Sequence, residues 1–112
     1  MIDVIKNILS EEIEFVEGFD SISSNHLLSI LLPERFSHES VSKLFHFMSE
    51  NGVVIQKHYI PIYKQPFYVK KYGVITLSET ERFYTRQVSL PLYVDMTKDD
   101  IHHVSKLLDD FL

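Results

Sequence analysis

"HLLSILLPERFSHESVSKLFHFMSENGVVIQKHYI", residues 26–60, changes hydrophobic period twice, and the fold follows from those changes. Residues 26–33 form a nearly continuous apolar run closed by Pro33. A run of that length, bounded by turn signals, reads as a buried central strand. Val41, Leu44, Phe45 and Met48 then follow the i, i+3, i+4, i+7 spacing of a helix that buries one stripe. Ser37 stands where an N-cap is needed, and Glu39 falls in the first turn, near the positive end of the helix dipole. Asn51-Gly52 ends the helix, with Gly52 as the left-handed residue. After it the period drops to two. Val53, Ile55, Lys57 and Tyr59 share one face, and Val54, Gln56, His58 and Ile60 the other. The spacing predicts strand, helix, strand.

The flanks extend this pattern. Ile2, Ile5 and Leu9, with Ile8 beside them, predict a short helix at residues 2–9. Residues 10–25 are polar and broken by Gly18, with "IEFV" (13–16) as a short edge strand. Downstream, "YVKKYG" reads as about one helical turn stopped at Gly73. "SETERFYTRQ" (78–87) reads as a helix with a capping box between Ser78 and Glu81. "VSLPLYV" (88–94) is a short strand broken by Pro91, which puts it at an edge or takes it out of the sheet there. The last helix has Thr97 as N-cap, Asp100 at N3, and a stripe of Ile101, Val104, Leu108 and Phe111 with Leu107 beside it. These elements predict an α+β two-layer sandwich: a small mixed or antiparallel sheet with helices on one face. The expected division is an N-terminal helix and connecting segment at 1–23 and a domain at 24–112. So few helices leave the second sheet face uncovered, and an apolar face there would meet a second chain or domain.

Composition narrows the function. The chain has 112 residues, no cysteine and a formal charge of −5. Disulfides and thiolate metal sites are excluded. Lysines are scattered, so the basic stripe that nucleic-acid binding requires is missing. No apolar run approaches the roughly 18–20 residues of a membrane span. The N-terminus has acids within its apolar pattern and no basic leader, so it does not read as a signal peptide. The expectation is a cytoplasmic protein.

Few residue patterns point to chemistry. His102 and His103 are neighbours on a helix and project about 100° apart, unsuited to one metal ion. No metal site is predicted. "SVSK" (40–43) matches a Ser-x-x-Lys nucleophile motif, but it lies on an amphipathic helix flank without the partner motifs. No glycine-rich phosphate loop is present, and no carboxylates pair into an acid/base dyad. "HYIPIYKQPFY" (58–68) stands apart, with His58, four aromatics and two prolines in eleven residues. Those rings either close the end of the core or form one wall of a binding site. An imidazole and a phenol can both orient phosphate or sugar hydroxyls.

That segment, followed by a helix, "SLPLYVDMT" (89–97) and a terminal helix, resembles the C-terminal small domain of the DegT/DnrJ/StrS sugar aminotransferases. These pyridoxal-phosphate enzymes aminate keto-sugars carried on nucleotides for cell-surface polysaccharides and antibiotics, and one branch serves the spore coat. The family pattern falls on His58, Tyr59, Pro61, Gln65, Pro66 and Tyr68, then on Ser89, Leu90, Pro91, Leu92, Tyr93, Met96 and Thr97. Val88 and Val94 depart from it, and the resemblance covers about residues 24–112.

The resemblance implies that His58, Tyr59, Tyr63 and Ser89 edge a pocket for cofactor and nucleotide-sugar. It also implies that the aldimine lysine, the aspartate under the pyridine nitrogen and the phosphate cup belong to a large N-terminal domain. No catalytic residue and no cofactor are therefore expected for this chain alone. Three readings follow: a split or truncated aminotransferase partnered by a large-domain chain, a stand-alone module binding protein or nucleotide-sugar, or a remnant. A homodimer through the uncovered sheet face is a further expectation.

Overall fold

The computed structural model describes residues 2–16 and 24–112. The chain runs α1 (Ile2–Ile8), β1 (Glu14–Phe15), β2 (Leu28–Leu31), α2 (His38–Glu50), a 3₁₀ turn (Ile62–Lys64), α3 (Pro66–Tyr72), α4 (Ser78–Arg86), β3 (Gln87–Leu90) and α5 (Lys98–Phe111). The three strands form one antiparallel sheet in the order β1-β2-β3. The fold is α+β, as expected, and the sheet is antiparallel. The apolar run at 26–33 supplies its central strand, and 13–16 an edge.

Register explains the layers. Leu28 pairs with Leu90 and Ile30 with Val88, and all four are buried in the core. Ser29 pairs with Ser89 and Leu31 with Gln87, so these four share the opposite face. The face expected to be open is therefore largely polar.

The core is closed by Val41, Leu44 and Met48 from α2 and by Ile101, Val104, Leu107 and Leu108 from α5. Phe45 and Phe111 pack at its margin. Ile5, Leu9 and Ile13 bury against the same core, while the Ile2 side chain lies outside the described residues. So do residues 17–23, including Gly18 and the expected boundary at 23/24.

Local signals set the helix ends. Ser37 Oγ accepts from the Ser40 N–H at 3.2 Å, and Thr97 with Asp100 forms a capping box. Gly52 and Gly73 end α2 and α3 with φ of +78° and +79°, where a side chain would be strained.

The box expected between Ser78 and Glu81 does not form. Ser78 is the first residue of α4, Leu77 holds the cap position, and that end has no side-chain cap. Glu81 instead accepts from Tyr63 Oη at 2.6 Å and Lys64 Nζ at 2.5 Å.

The predicted strand at 53–60 is also corrected. Its alternation survives in part, with Val53 and Ile55 buried and Val54 exposed. Only Gln56 pairs, as a single antiparallel bridge to Ser89. Beyond it the His58 N–H is taken by a side chain, Gln87 Oε1, instead of a strand carbonyl, so the ladder stops.

Candidate functional site

The single bridge brings the 56–58 segment alongside β3. Gln56 N–H donates to Ser89 O at 3.0 Å, and Ser89 N–H to Gln56 O at 2.7 Å. One residue later Lys57 turns toward the C-terminal end of α4. Its ammonium donates to Tyr84 O, to Thr85 O at 2.9 Å and to Gln87 O at 3.1 Å. The orphan carbonyls of a helix end and a cation are natural partners. Half-burial nevertheless brings the Lys57 ammonium down to about 8, because a low-dielectric setting disfavours the charged form. With all three donors engaged, Lys57 is an anchor for the segment and not a free amine.

This anchoring places His58. Its Nδ1 lies 2.8 Å from Ser89 Oγ, and its ring meets the Tyr59 ring edge-on at 4.7 Å. The peptide bond between the two is cis. Beneath the imidazole, Gln87 Nε2 donates to Ser89 Oγ at 3.0 Å and to Ser29 Oγ at 3.2 Å. Gln87 and Ser89 are buried, so the hydrogen bond between them is shielded from water and matters more for it; Ser29 and His58 are half-buried. The imidazole lines a cleft of about 300 Å³ whose walls include His26, Val54, Gln56, Ser89 and Pro91.

Of the residues expected at a pocket edge, the structure brings His58 and Ser89 together and sets Tyr59 beside them. Tyr59 is 73% exposed, so its phenol faces outward. Tyr63 sits elsewhere, donating to Glu81 in a clamp between the 3₁₀ turn and α4. Burial and the Glu81 carboxylate push its hydroxyl up to about 12, and the Lys64 and Tyr63 bonds hold the Glu81 carboxyl low. Gln87, Ser29 and Lys57 are the residues that the motifs did not single out. A signal for two of them exists: Ser29 interrupts an apolar strand, and Gln87 and Ser89 alternate with Val88 and Leu90.

The weaker sequence matches resolve into structure. In "SVSK", Ser40 Oγ meets the capping Ser37 Oγ at 3.1 Å, while Lys43 pairs with Glu39 at 2.7 Å. His103 Nε2 approaches Asn51 O at 3.1 Å.

The segment that follows the site in sequence exposes apolar side chains. Tyr59, Ile60, Ile62, Phe67, Tyr72 and Val74 are all more than half exposed, concentrated in the segment between His58 and α4. Large apolar side chains left exposed in one segment point to a surface that a partner can cover.

Pyridoxal phosphate needs an amine to bond, a carboxylate for its ring nitrogen and donors for its phosphate. The cleft beside His58 is lined by no lysine, arginine or carboxylate, and Lys57 is engaged with three carbonyls. These residues do not make a pyridoxal-phosphate site by themselves.

The sequence pattern of the DegT/DnrJ/EryC1/StrS aminotransferase family matches residues 5–109. The match begins upstream of the motifs at 58–68 and 89–97. A UDP-4-amino-4,6-dideoxy-N-acetyl-beta-L-altrosamine transaminase of Campylobacter jejuni is 33% identical over 116 residues, covering 96% of this chain and 30% of its own length. Among solved structures, Helicobacter pylori PseC, an aminotransferase involved in the biosynthesis of pseudoaminic acid, superposes with a TM-score of 0.85 at 22% identity, covering 96% of this chain and 30% of its own. A putative sugar aminotransferase of Streptococcus pneumoniae in its PLP form superposes with a TM-score of 0.81 at 16% identity, covering 99% of this chain and 30% of its own. The chain thus spans about a third or less of the relatives it matches.

Proposed function

We propose that this chain, which belongs to the DegT/DnrJ/EryC1/StrS aminotransferase family, acts as the small domain of a pyridoxal-phosphate-dependent sugar aminotransferase. Its part is to close one side of the pocket, with His58 and Ser89 at the edge and Tyr59 on the rim. The lysine-bearing wall comes from a large domain, contributed by a second polypeptide or by further residues of the same one. The substrate class is a nucleotide-linked keto-sugar destined for cell-surface polysaccharide, and the setting is the cytoplasm. By themselves these 112 residues do not transaminate.

The observation that carries this reading is the pairing of a polar, preorganised edge at His58 with an uncovered apolar surface directly beyond it. A pocket wall needs the first, and a domain that docks against another needs the second. Docking through the apolar segment 59–77 replaces the sheet face as our choice of partner surface, because that face carries Ser29, Gln87 and Ser89.

The test is a chimera in which residues 24–112 replace the segment they match in the Campylobacter transaminase. The expected result is a folded enzyme that retains transamination of its UDP-sugar, and loses most of it on His58→Ala. A folded chimera with bound cofactor and no turnover would overturn the reading. A stand-alone binding module is the competing outcome. It would show as saturable chemical-shift changes at His58, Tyr59 and Ser89 when UDP-N-acetylglucosamine is added to the free chain, together with an inactive chimera.

A further inference from the structure

Which hydrogen-bonding group His58 offers a ligand is decided by a chain of bonds that starts at a peptide group. The His58 backbone N–H faces Gln87 Oε1 at 3.2 Å. A peptide N–H can only donate, so the atom it faces is the amide oxygen, and the Gln87 carboxamide has one permitted orientation. Its NH₂ group therefore points at the serines and donates to Ser29 Oγ at 3.2 Å and Ser89 Oγ at 3.0 Å. The two hydroxyl oxygens are 3.1 Å apart, and Ser89 Oγ is 2.8 Å from His58 Nδ1.

Each hydroxyl has one proton and two lone pairs. If Ser29 donates to Ser89, then Ser89 accepts from both Gln87 and Ser29. Its lone pairs are filled, and its proton goes to Nδ1. If Ser89 instead donates to Ser29, Nδ1 must carry the proton and donate to Ser89. Ser29 then accepts twice, and its own proton finds no acceptor among the described residues. Ser29 is half-buried, so in that arrangement its proton is left to solvent. Only the first arrangement gives every hydroxyl proton of the network a protein acceptor. Gln87 and Ser89 are both buried.

We infer that Gln87, acting through Ser29 and Ser89, holds the neutral imidazole of His58 with its proton on Nε2. Gln87 and Ser89 are positioning residues. His58 presents an N–H donor to the cleft and not a lone pair. Its complement is an oxygen acceptor, such as a sugar hydroxyl, a carbonyl or a phosphate, and Nδ1 is already occupied by the Ser89 hydroxyl. The choice of ligand rests on the function proposed above. The tautomer does not, since it is a property of the free chain, so the two fail separately.

The test is a long-range proton–nitrogen correlation spectrum of the uniformly ¹⁵N-labelled chain at mildly alkaline pH, with the His58 signals identified by their loss in His58→Gln. The expected spectrum has Nδ1 in the pyridine-like range and Nε2 in the pyrrole-like range, and the reverse overturns the inference. Because a free imidazole also favours Nε2 protonation, Gln87→Glu makes the assignment to the network. A carboxylate accepts where the NH₂ donated, so the Ser89 proton turns toward it and Nδ1 becomes the donor. The expected outcome is a reversed nitrogen pattern, and an unchanged one overturns the role of Gln87. If that variant does not fold, Ser89→Ala serves: loss of the accepted bond moves the Nδ1 resonance further into the pyridine-like range, and no movement overturns the role of Ser89.

Discussion

Arg86 Nη2 lies 2.7 Å from Glu14 Oε1, joining the end of α4 to edge strand β1 across 72 positions of sequence. The same guanidinium donates through Nε to Leu32 O at 2.6 Å and through Nη1 to Glu34. Glu34 in turn pairs with Arg82, and Arg82 with Glu79 at 3.3 Å. Arg86 is 5% exposed, while its carboxylate partners stand half in solvent. It is a buried cation satisfied from one side by the backbone and from the other by hydrated acids.

Replacing Arg86 by methionine keeps the stem's packing and removes every one of those bonds. Breaking a fully buried pair costs about 3–5 kcal/mol, and the solvation of both carboxylates lowers that figure. The expected loss is about 2 kcal/mol in urea unfolding. A loss below about 0.5 kcal/mol, the range of ordinary surface substitutions, would remove Arg86 from the framework.

Thr97 and Ser78, the two residues expected from sequence to cap helices in the C-terminal half, should behave differently. Thr97 Oγ1 accepts the Asp100 N–H at 3.2 Å, and Asp100 Oδ2 accepts the Thr97 N–H at 2.8 Å. Thr97→Ala should cost about 1 kcal/mol. Ser78 caps nothing, so Ser78→Ala should stay within about 0.5 kcal/mol of the parent. Equal losses in the two variants would contradict the cap assignment.

Acid should weaken the fold in a defined window. The carboxyls of Glu34, Glu39 and Glu81 are held below their ordinary value of 4.5, chiefly by hydrogen bonds from Arg82, Lys43 and Lys64. Asp100 is held below 3.8 by Thr97. In each case the unfolded chain takes up its proton first. Their contribution is therefore complete above the unfolded values and is lost as pH falls through the lower, folded ones. The urea midpoint should be level from about pH 5 to about pH 7, below the range in which Lys57 titrates, and should fall below about pH 5. Glu81→Gln should flatten that fall, and an unchanged slope would mean that the Tyr63–Glu81–Lys64 clamp does not couple to folding.

The apolar segment should matter for assembly and not for the free chain. Ile62 and Tyr72 are more than 60% exposed, so Ile62→Lys and Tyr72→Lys should change the unfolding free energy by no more than about 0.5 kcal/mol. In the chimera each should lower activity by about tenfold, the effect of losing one well-buried interface contact. Full activity in both would place the docking surface elsewhere.

What could be read from sequence was whatever is decided locally. The α2 stripe at Val41, Leu44 and Met48 and the Thr97–Asp100 box depend on residues three or four apart, and both hold in the structure. Errors arose where a distant residue competed for a local group. Glu81 had the spacing to close a box with Ser78, but Tyr63 and Lys64 claim its carboxylate. The run at 53–60 had a strand's alternation, but a side chain from position 87 takes the His58 N–H and Lys57 turns to α4. The site divides in the same way. His58 and Ser89 came from the family resemblance, and alternation marks Gln87 as polar without saying that it organises both.

The strand order carries a consequence for synthesis. β2 at residues 28–31 finds its second neighbour only in β3 at 87–90, and the core between them is closed by α5. Such distant pairing makes loop closure the slow step of folding. On the ribosome, the apolar run at 26–33 can meet β1 at once, but its other edge must stay open while about half of the chain is added before β3 exists. Nascent segments of this kind are where chaperones act and where aggregation begins. The order of the strands, and not only their composition, therefore sets when this domain first becomes safe from its own hydrophobic surface.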